Sequence, residues 1–298
     1  MITSVKSGMV SCIIPSYKRS DTLKRAINSV LAQTYENLEV VVVDDNIPGD
    51  EYSIALQEIV KTYEDKRVWL VTQKVHINGA VARNVGVKAS MGEYVAFLDD
   101  DDEWMPDKIE RQLQIIRSDP GLSGVGGGVT LWQNNKEISC LPKREISERN
   151  LLFKILIREV GLATSSFLCK KKAFVEMGGF DPSLKRSQDL QLFTDFLFRF
   201  RIYPIWNFRT VKMHVESTIN RLDARTLAAN KEDFFCSVEK VINSFPKKTQ
   251  RRIKSAHYYE VAFVALKEKE ILFAIKYILK GLASLASIKD LYIRYKSR

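Results

Sequence analysis

Asp99-Asp100-Asp101-Asp102-Glu103 sets five acidic side chains side by side, directly after the apolar run Tyr94–Leu98. Adjacent carboxylates repel one another, so each needs water, a proton or a counter-charge. A divalent cation bridging to phosphate oxygens would meet that need, because Mg²⁺ commonly combines one or two carboxylates with substrate phosphates. The rival reading is a solvated acidic turn. Position favours the first, since open α/β sheets bind ligands at the carboxyl ends of their strands. Two other acidic positions fall at comparable places. Asp44-Asp45 ends the run Leu38–Val43, and Asp189 in Ser187-Gln188-Asp189-Leu190 stands just before a predicted helix.

The elements that must position these residues alternate. Val10–Ile14 reads as a buried strand and Pro15–Arg19 as a loop. Ser20 or Asp21 is placed to cap a helix whose stripe is Leu23, Ile27, Val30 and Leu31. Leu38–Val43 is a β-branched run of the kind buried on both faces of a sheet. A helix over Glu51–Tyr63, a strand over Val68–Val71, a helix over Gly79–Ser90 and a strand over Tyr94–Leu98 follow. Strands and helices in this rhythm make βαβ units, and right-handed crossovers bring Pro15, Asp44 and Asp99 to one rim. After Pro120 the pattern loosens. Gly124–Val129 reads as a closely packed strand, Leu151–Val160 as a helix, Thr164–Cys169 as a short strand and Leu190–Phe200 as an aromatic-rich helix. From about Thr226 onward the chain reads as helical.

With 298 residues, 45% hydrophobic and 28% charged, the chain has the composition of an ordinary globular protein. The first residues lack the apolar core of a secretory signal, and no apolar run reaches the ~18–20 residues that span a bilayer. Cys12, Cys140, Cys169 and Cys236 show no metal or redox spacing. A reducing, cytoplasmic setting is expected. Residues 247–298 hold 13 Lys and Arg against 4 Asp and Glu, a net +9 of the chain's +10. Such a tail suits an anionic partner or the solvated face of a helical appendage. Within it, Ile271, Leu272, Ile275, Ile278, Leu279 and Leu282 recur at helical spacing with Lys276 and Lys280 a turn apart. Two outcomes stay open: peripheral contact with the inner face of an anionic membrane, or a hairpin of Tyr258–Leu266 with Ile271–Leu279 that packs on the catalytic domain or dimerises. No nucleic-acid motif appears, and none is expected as a partner.

Several stretches in collinear order resemble the amino-terminal signature of family-2 glycosyltransferases. They are Val10–Tyr17, Gln33–Val40, Val43-Asp44-Asp45, Ala82-Arg83-Asn84-Val85-Gly86, Gly92-Glu93-Tyr94 through Asp102, and Gly178-Gly179-Phe180-Asp181. The resemblance covers roughly residues 9 to 220. It implies an α/β GT-A fold (Rossmann-like, with a mainly parallel central sheet), a C-terminal helical appendage, and inverting transfer from a nucleotide-sugar, commonly a UDP-sugar, with Mn²⁺ or Mg²⁺. The expected division is a catalytic domain over 1–225, with a nucleotide-binding half to about 103 and an acceptor-binding half after it, then a basic helical region over 226–298.

Carried onto this chain, the resemblance puts Pro15, Tyr17 and Arg19 at the nucleotide, with Tyr17 against the base. Asp45 matches the carboxylate that reads the base, with Asp44 as the alternative, and Arg83 offers a fork to base or diphosphate. Asp99 and Asp101 match an Asp-x-Asp metal motif. Asp101 is expected at the metal and Asp99 at the ribose or the metal through water, while Asp100 and Asp102 leave the register open. Asp189 resembles the general base, with Gln188 where the family carries Glu. Lys212-Met213-His214-Val215-Glu216-Ser217 resembles an Arg-x-His-x-x-Ser motif, which would bring Lys212 and Ser217 to the diphosphate and His214 to the metal or the diphosphate. Trp104 and Phe180 are expected to shape the acceptor side, with plain core aromatics as the alternative. The acceptor would be a glycan or lipid-linked glycan of a surface polysaccharide. A sugar-1-phosphate nucleotidyltransferase would need a Gly-rich basic loop where Pro15–Arg19 stands, and a sugar-nucleotide-binding pseudo-enzyme would not need all three acidic sites.

Overall fold

The structure is a computed structural model that describes residues 5–142, 150–215 and 222–282. In chain order its elements are β1 (Lys6–Ser16), α1 (Leu23–Leu31), β2 (Leu38–Asp44), α2 (Glu51–Lys61), β3 (Val68–Thr72), α3 (Gly79–Ala89), β4 (Gly92–Phe97) and β5 (Glu103–Trp104). Then come α4 (Lys108–Ser118), β6 (Leu122–Gln133), β7 (Lys136–Leu141), α5 (Leu151–Leu156), β8 (Phe167–Lys170), α6 (Lys171–Met177), α7 (Gln188–Arg199) and β9 (Arg201–His214). The last helices are α8 (Ala224–Ser237), α9 (Glu239–Asn243), α10 (Lys247–Lys267) and α11 (Ile271–Gly281).

The strands form one sheet in the order β3-β2-β1-β4-β8-β6-β9-β5, with β7 beside β6. β1 pairs in parallel with β2 and β4, and β2 with β3. Every residue of β2 is buried. Its alternate side chains explain how. Val40 and Val42 join the core beneath α1 and α4, with Ile27, Val30, Ile109 and Leu113. On the other face, Phe97 of β4 packs against the rings of Phe174 and Phe180 at 5.4 and 5.5 Å. Gly92 is required where β4 meets β1, since a Cβ there would lie 2.8 Å from the Met9 carbonyl oxygen. The parallel register carries Ser16 level with Asp44, so the loops after β1, β2 and β4 leave the sheet on the same side.

Several expectations change in detail. The cap of α1 is Thr22, with no side-chain hydrogen bond, rather than Ser20 or Asp21. The helix at 151 stops at Leu156, and Arg158 follows with φ +63°. Thr164–Ser166 is a turn of 3₁₀ helix, and strand begins only at Phe167. Gln188 and Asp189 lie inside the first turn of α7, not before it.

The chain divides into two compact units. One comprises Met1–Glu148, Leu162–Pro182 and Arg199–Ser217, and holds the whole sheet; the other comprises Arg149–Gly161, Ser183–Phe198 and Thr218–Arg298. Two short stretches upstream of residue 225 thus group with the C-terminal helices. In that second unit α10 and α11 form the helical hairpin, with Ala265 and Ala274 in one apolar cluster and Val261, Ala262 and Tyr277 in another. Residues 283–298 lie outside the described residues. Among those described, no helix is long and apolar enough to cross a membrane.

Candidate active site

A cleft of about 320 Å³ opens at the carboxyl ends of β1, β2 and β4, within the first unit. It is lined by Pro15, Ser16, Tyr17, Arg19, Asp45, His76, Gly79, Arg83, Asp99, Asp100 and Asp101. Its volume lies within the range of small-molecule sites. Eight of the residues singled out from the sequence therefore meet on one surface, delivered by the end of β1 and the loop after it, the loop after β2, the first half of α3 and the turn after β4.

The loop after β1 is held by the loop after β2. Asp44 is fully buried and lies behind the cleft wall, where it accepts from Asn46 N at 3.0 Å, Asn46 Nδ2 at 2.9 Å and Ser53 Oγ at 2.6 Å. Asn46 Oδ1 in turn accepts from Lys18 N at 2.7 Å, fixing a residue with φ +54° beside Tyr17. Of the two neighbouring acids, Asp45 is the one that faces the cleft. Gln73 Nε2 donates to it at 2.6 Å, and His76 Nδ1 lies 3.1 Å from its Oδ2 and 3.0 Å from its backbone oxygen. Burial pushes the Asp45 carboxyl above its ordinary range, and His76 opposes that shift. The imidazole also stacks on Tyr17, with centroids 3.8 Å apart and planes 10° from parallel.

His76 is the residue the sequence reading missed. A lone histidine four residues beyond a strand carries no motif; only the folded loop shows it on both Tyr17 and Asp45.

The acidic run splits by alternation. Asp99 and Asp101 turn to the cleft, where Arg83 Nη2 reaches Asp99 at 2.5 Å and Arg19 Nη1 pairs with Asp101. Asp102 turns inward, while Asp100 borders the cleft with its side chain largely buried, 3.8 Å from Arg19 Nη1. Asp100 accepts from Ser16 Oγ at 2.7 Å, and burial pushes it up to about 7. Asp102 accepts from Ser165 Oγ at 2.9 Å and from His214 N at 3.3 Å, and burial, with the neighbouring Asp99 and Asp101 charges, pushes it up to about 8. Arg25 Nη2 donates to the Asp101 carbonyl at 2.6 Å, so the turn is held from outside as well. Among the described residues no three His, Cys, Asp or Glu side chains form a ready metal cage.

The remaining expected residues lie elsewhere. Lys212 sits on β9 with its ammonium 5.1 Å from the centre of the Trp132 ring. His214 Nε2 is 2.6 Å from Glu103 Oε1. Ser217 lies outside the described residues. Asp189 is exposed in α7, in the second unit. Trp104 and Phe180 are core residues rather than an acceptor surface. Trp104 is 3% exposed and donates to the Ser165 carbonyl at 2.9 Å, and Phe180 is fully enclosed beside Phe97 and Phe174.

A parallel βα start that gathers an aromatic ring, a cleft-facing carboxylate, two arginines and an acidic turn on one rim, then continues into a mixed sheet, is the GT-A architecture of nucleotide-sugar transferases. Comparison with known proteins agrees. The chain belongs to glycosyl transferase family 2, whose model matches residues 11–177. It is 30% identical to the amylovoran biosynthesis glycosyltransferase AmsB of Erwinia amylovora, over 63% of this chain and 64% of that protein. It is also 30% identical to the UDP-Glc:alpha-D-GlcNAc-diphosphoundecaprenol beta-1,3-glucosyltransferase WfgD of Escherichia coli, over 52% of this chain and 57% of that one. The chain therefore spans under two thirds of the length of either relative. Among solved structures, S. aureus TarS in complex with UDP-GlcNAc superposes with a TM-score of 0.67 at 15% identity, covering 92% of this chain and 79% of that one. The mannosyltransferase PcManGT of Pyrobaculum calidifontis, in complex with GDP-Man and Mn²⁺, gives 0.59 at 17%, covering 95% and 78%. At these identities the structural likeness speaks for the fold.

Proposed function

We propose that this protein transfers a sugar from a nucleotide-sugar, a UDP-sugar first, to a hydroxyl of a glycan or lipid-linked acceptor in surface polysaccharide assembly, with inversion at the anomeric carbon. The observation that carries this is the meeting of Tyr17, Asp45, Arg83, Asp99 and Asp101 on one cleft. Tyr17 offers a ring to the base and Asp45 an acceptor for its N–H, with lone pairs to spare beyond Gln73 and His76. Arg83 and Arg19 bring positive charge to the diphosphate. Lys212 and Ser217 are assigned to the same anion.

The donor set suits Mn²⁺ or Mg²⁺. Asp101 and Asp99 present hard oxygen ligands to the cleft, 26% and 38% exposed, and in this structure a guanidinium already occupies the cationic place beside each. Two carboxylates with donor phosphates make a usual Mg²⁺ shell, so the lack of a three-residue cage fits. When bound, the ion would neutralise charge developing on the leaving diphosphate. His214 holds Glu103 through Nε2, which leaves Nδ1 as the ring nitrogen that could meet the ion.

Transfer needs the acceptor oxygen to attack the anomeric carbon as the bond to the nucleoside diphosphate breaks. Asp189 is assigned as the base that takes the acceptor's proton. WfgD, whose name records a UDP-glucose donor and a diphosphoundecaprenol-linked acceptor, supports this substrate class.

Calorimetric titration of UDP in the presence of Mn²⁺, and again with EDTA, tests the reading. Saturable binding that needs the metal is expected; none in either condition would move the donor to another nucleotide, dTDP first. Tyr17→Ala should weaken that binding by ~1–3 kcal/mol, the usual worth of a base–aromatic stack. His76→Ala removes both a neighbour of that ring and a donor to Asp45, and should weaken UDP binding about tenfold. Wild-type affinity in the His76 variant would leave the imidazole a bystander.

A further inference from the structure

The second unit carries an apolar stripe that its own core does not use. On α11, Ala274, Tyr277 and Gly281 are buried, the first two in the clusters formed with α8 and α10. Leu272, by contrast, is 86% exposed, Leu279 63%, and Ile271, Ile275 and Leu282 roughly half. Positions 272, 275, 279 and 282 fall on one side of a helix. Lys276 and Lys280 stand one turn apart beside them. α10 adds exposed Phe263, with the Lys267 ammonium 4.4 Å from its ring centre. Nearby acids are already engaged. Glu268 accepts from Ala224 N at 2.9 Å and Glu270 lies 3.2 Å from Arg225, while Glu232, 3.7 Å from Lys280, offsets part of that lysine's charge.

We propose that this face of α11 docks on an anionic membrane surface. Leu272, Ile275, Leu279 and Leu282 enter the headgroup–acyl boundary, and Lys276 and Lys280 meet the lipid charge. Charge selects this occupant over the two others within reach. A second copy packed stripe to stripe in antiparallel sense would set the rim lysines of each copy against those of the other. Residues 283–298, with four Lys and Arg against one Asp, would likewise lay cations on cations. An anionic bilayer complements both features, and an 11-residue helix lies on it rather than through it. This inference stands on the second unit alone and needs no particular donor or reaction.

The test is co-sedimentation of the full chain with vesicles of equal parts phosphatidylcholine and phosphatidylglycerol, and with phosphatidylcholine alone. Binding to the anionic vesicles is expected, weakening as salt is raised. Leu272→Ser with Leu279→Ser should lower the partition at least about tenfold. Lys276→Gln with Lys280→Gln should erase most of the preference for anionic lipid. Circular dichroism shows whether each variant keeps its helices, and the charge variant stands in if the apolar one does not. No binding to anionic vesicles overturns the proposal, as does binding that folded variants leave unchanged. A concentration-dependent dimer that the serine variant abolishes, without vesicle binding, would give the stripe to a second copy instead.

Discussion

Asp189→Asn should slow sugar transfer by about 10²–10⁴, the usual contribution of a positioned general base, while leaving UDP affinity within about twofold. The amide keeps the shape of the carboxylate but takes no proton, so an effect of this kind falls on kcat and spares donor binding. The rival role is helical: an acid in the first turn of α7 interacts favourably with the helix dipole by about 0.3–1 kcal/mol. Such a role predicts a variant that melts slightly earlier and turns over normally. Turnover against calorimetric UDP affinity separates the two, and near wild-type transfer would remove Asp189 from the mechanism.

Lys108→Met should make the protein markedly more stable at neutral pH. Lys108 opens α4 but is fully buried, with its ammonium 2.9 Å from Gln112 Oε1 and 4.1 Å from the centre of the Trp104 ring. Burial pushes its pKa down from 10.5 to about 7. Between those two values the unfolded chain binds the proton and the folded chain does not, so stability rises with pH across that window. Below about 7 both states are protonated and the full penalty remains. At about 1.4 kcal/mol per pH unit, the gap is worth on the order of 5 kcal/mol. Methionine keeps the stem's volume and removes the ammonium, at the cost of the Gln112 hydrogen bond. Urea unfolding at pH 7 and pH 10 should therefore show a smaller rise for the variant than for the wild type. An equal rise in both would assign the pH dependence to other groups.

The first half of the sheet was legible because its signals are local. Leu38–Val43 can only be a doubly buried strand, and the Asp pair that ends it marks the rim. The resemblance then supplied which rim residues to watch, and eight of them line the cleft. What the sequence did not show depends on contacts distant in the chain. Asp44 and Asp45 are indistinguishable as letters. Their separation into wall support and cleft lining comes from Asn46, Ser53, Gln73 and His76. Trp104 and Phe180 stayed open between acceptor side and core for the same reason: aromatic residues beside functional motifs look like site residues until their neighbours are known. The two-unit division was equally out of reach, because Arg149–Gly161 and Ser183–Phe198 join the C-terminal helices across long stretches of chain.

The alternation within Asp99–Asp102 has a consequence for how this stretch can vary. Four identical letters carry two messages, told apart only by parity. The odd pair meets arginines at the cleft, where a formal charge is wanted. The even pair is more deeply buried and accepts from the hydroxyls of Ser16 and Ser165, which a neutral hydrogen-bonding side chain can also satisfy, although Asp100 keeps Arg19 3.8 Å away. Losing or gaining a single residue after Phe97 would exchange the two roles without changing the composition at all. Spacing, more than acidity, decides what each carboxylate of this turn can do.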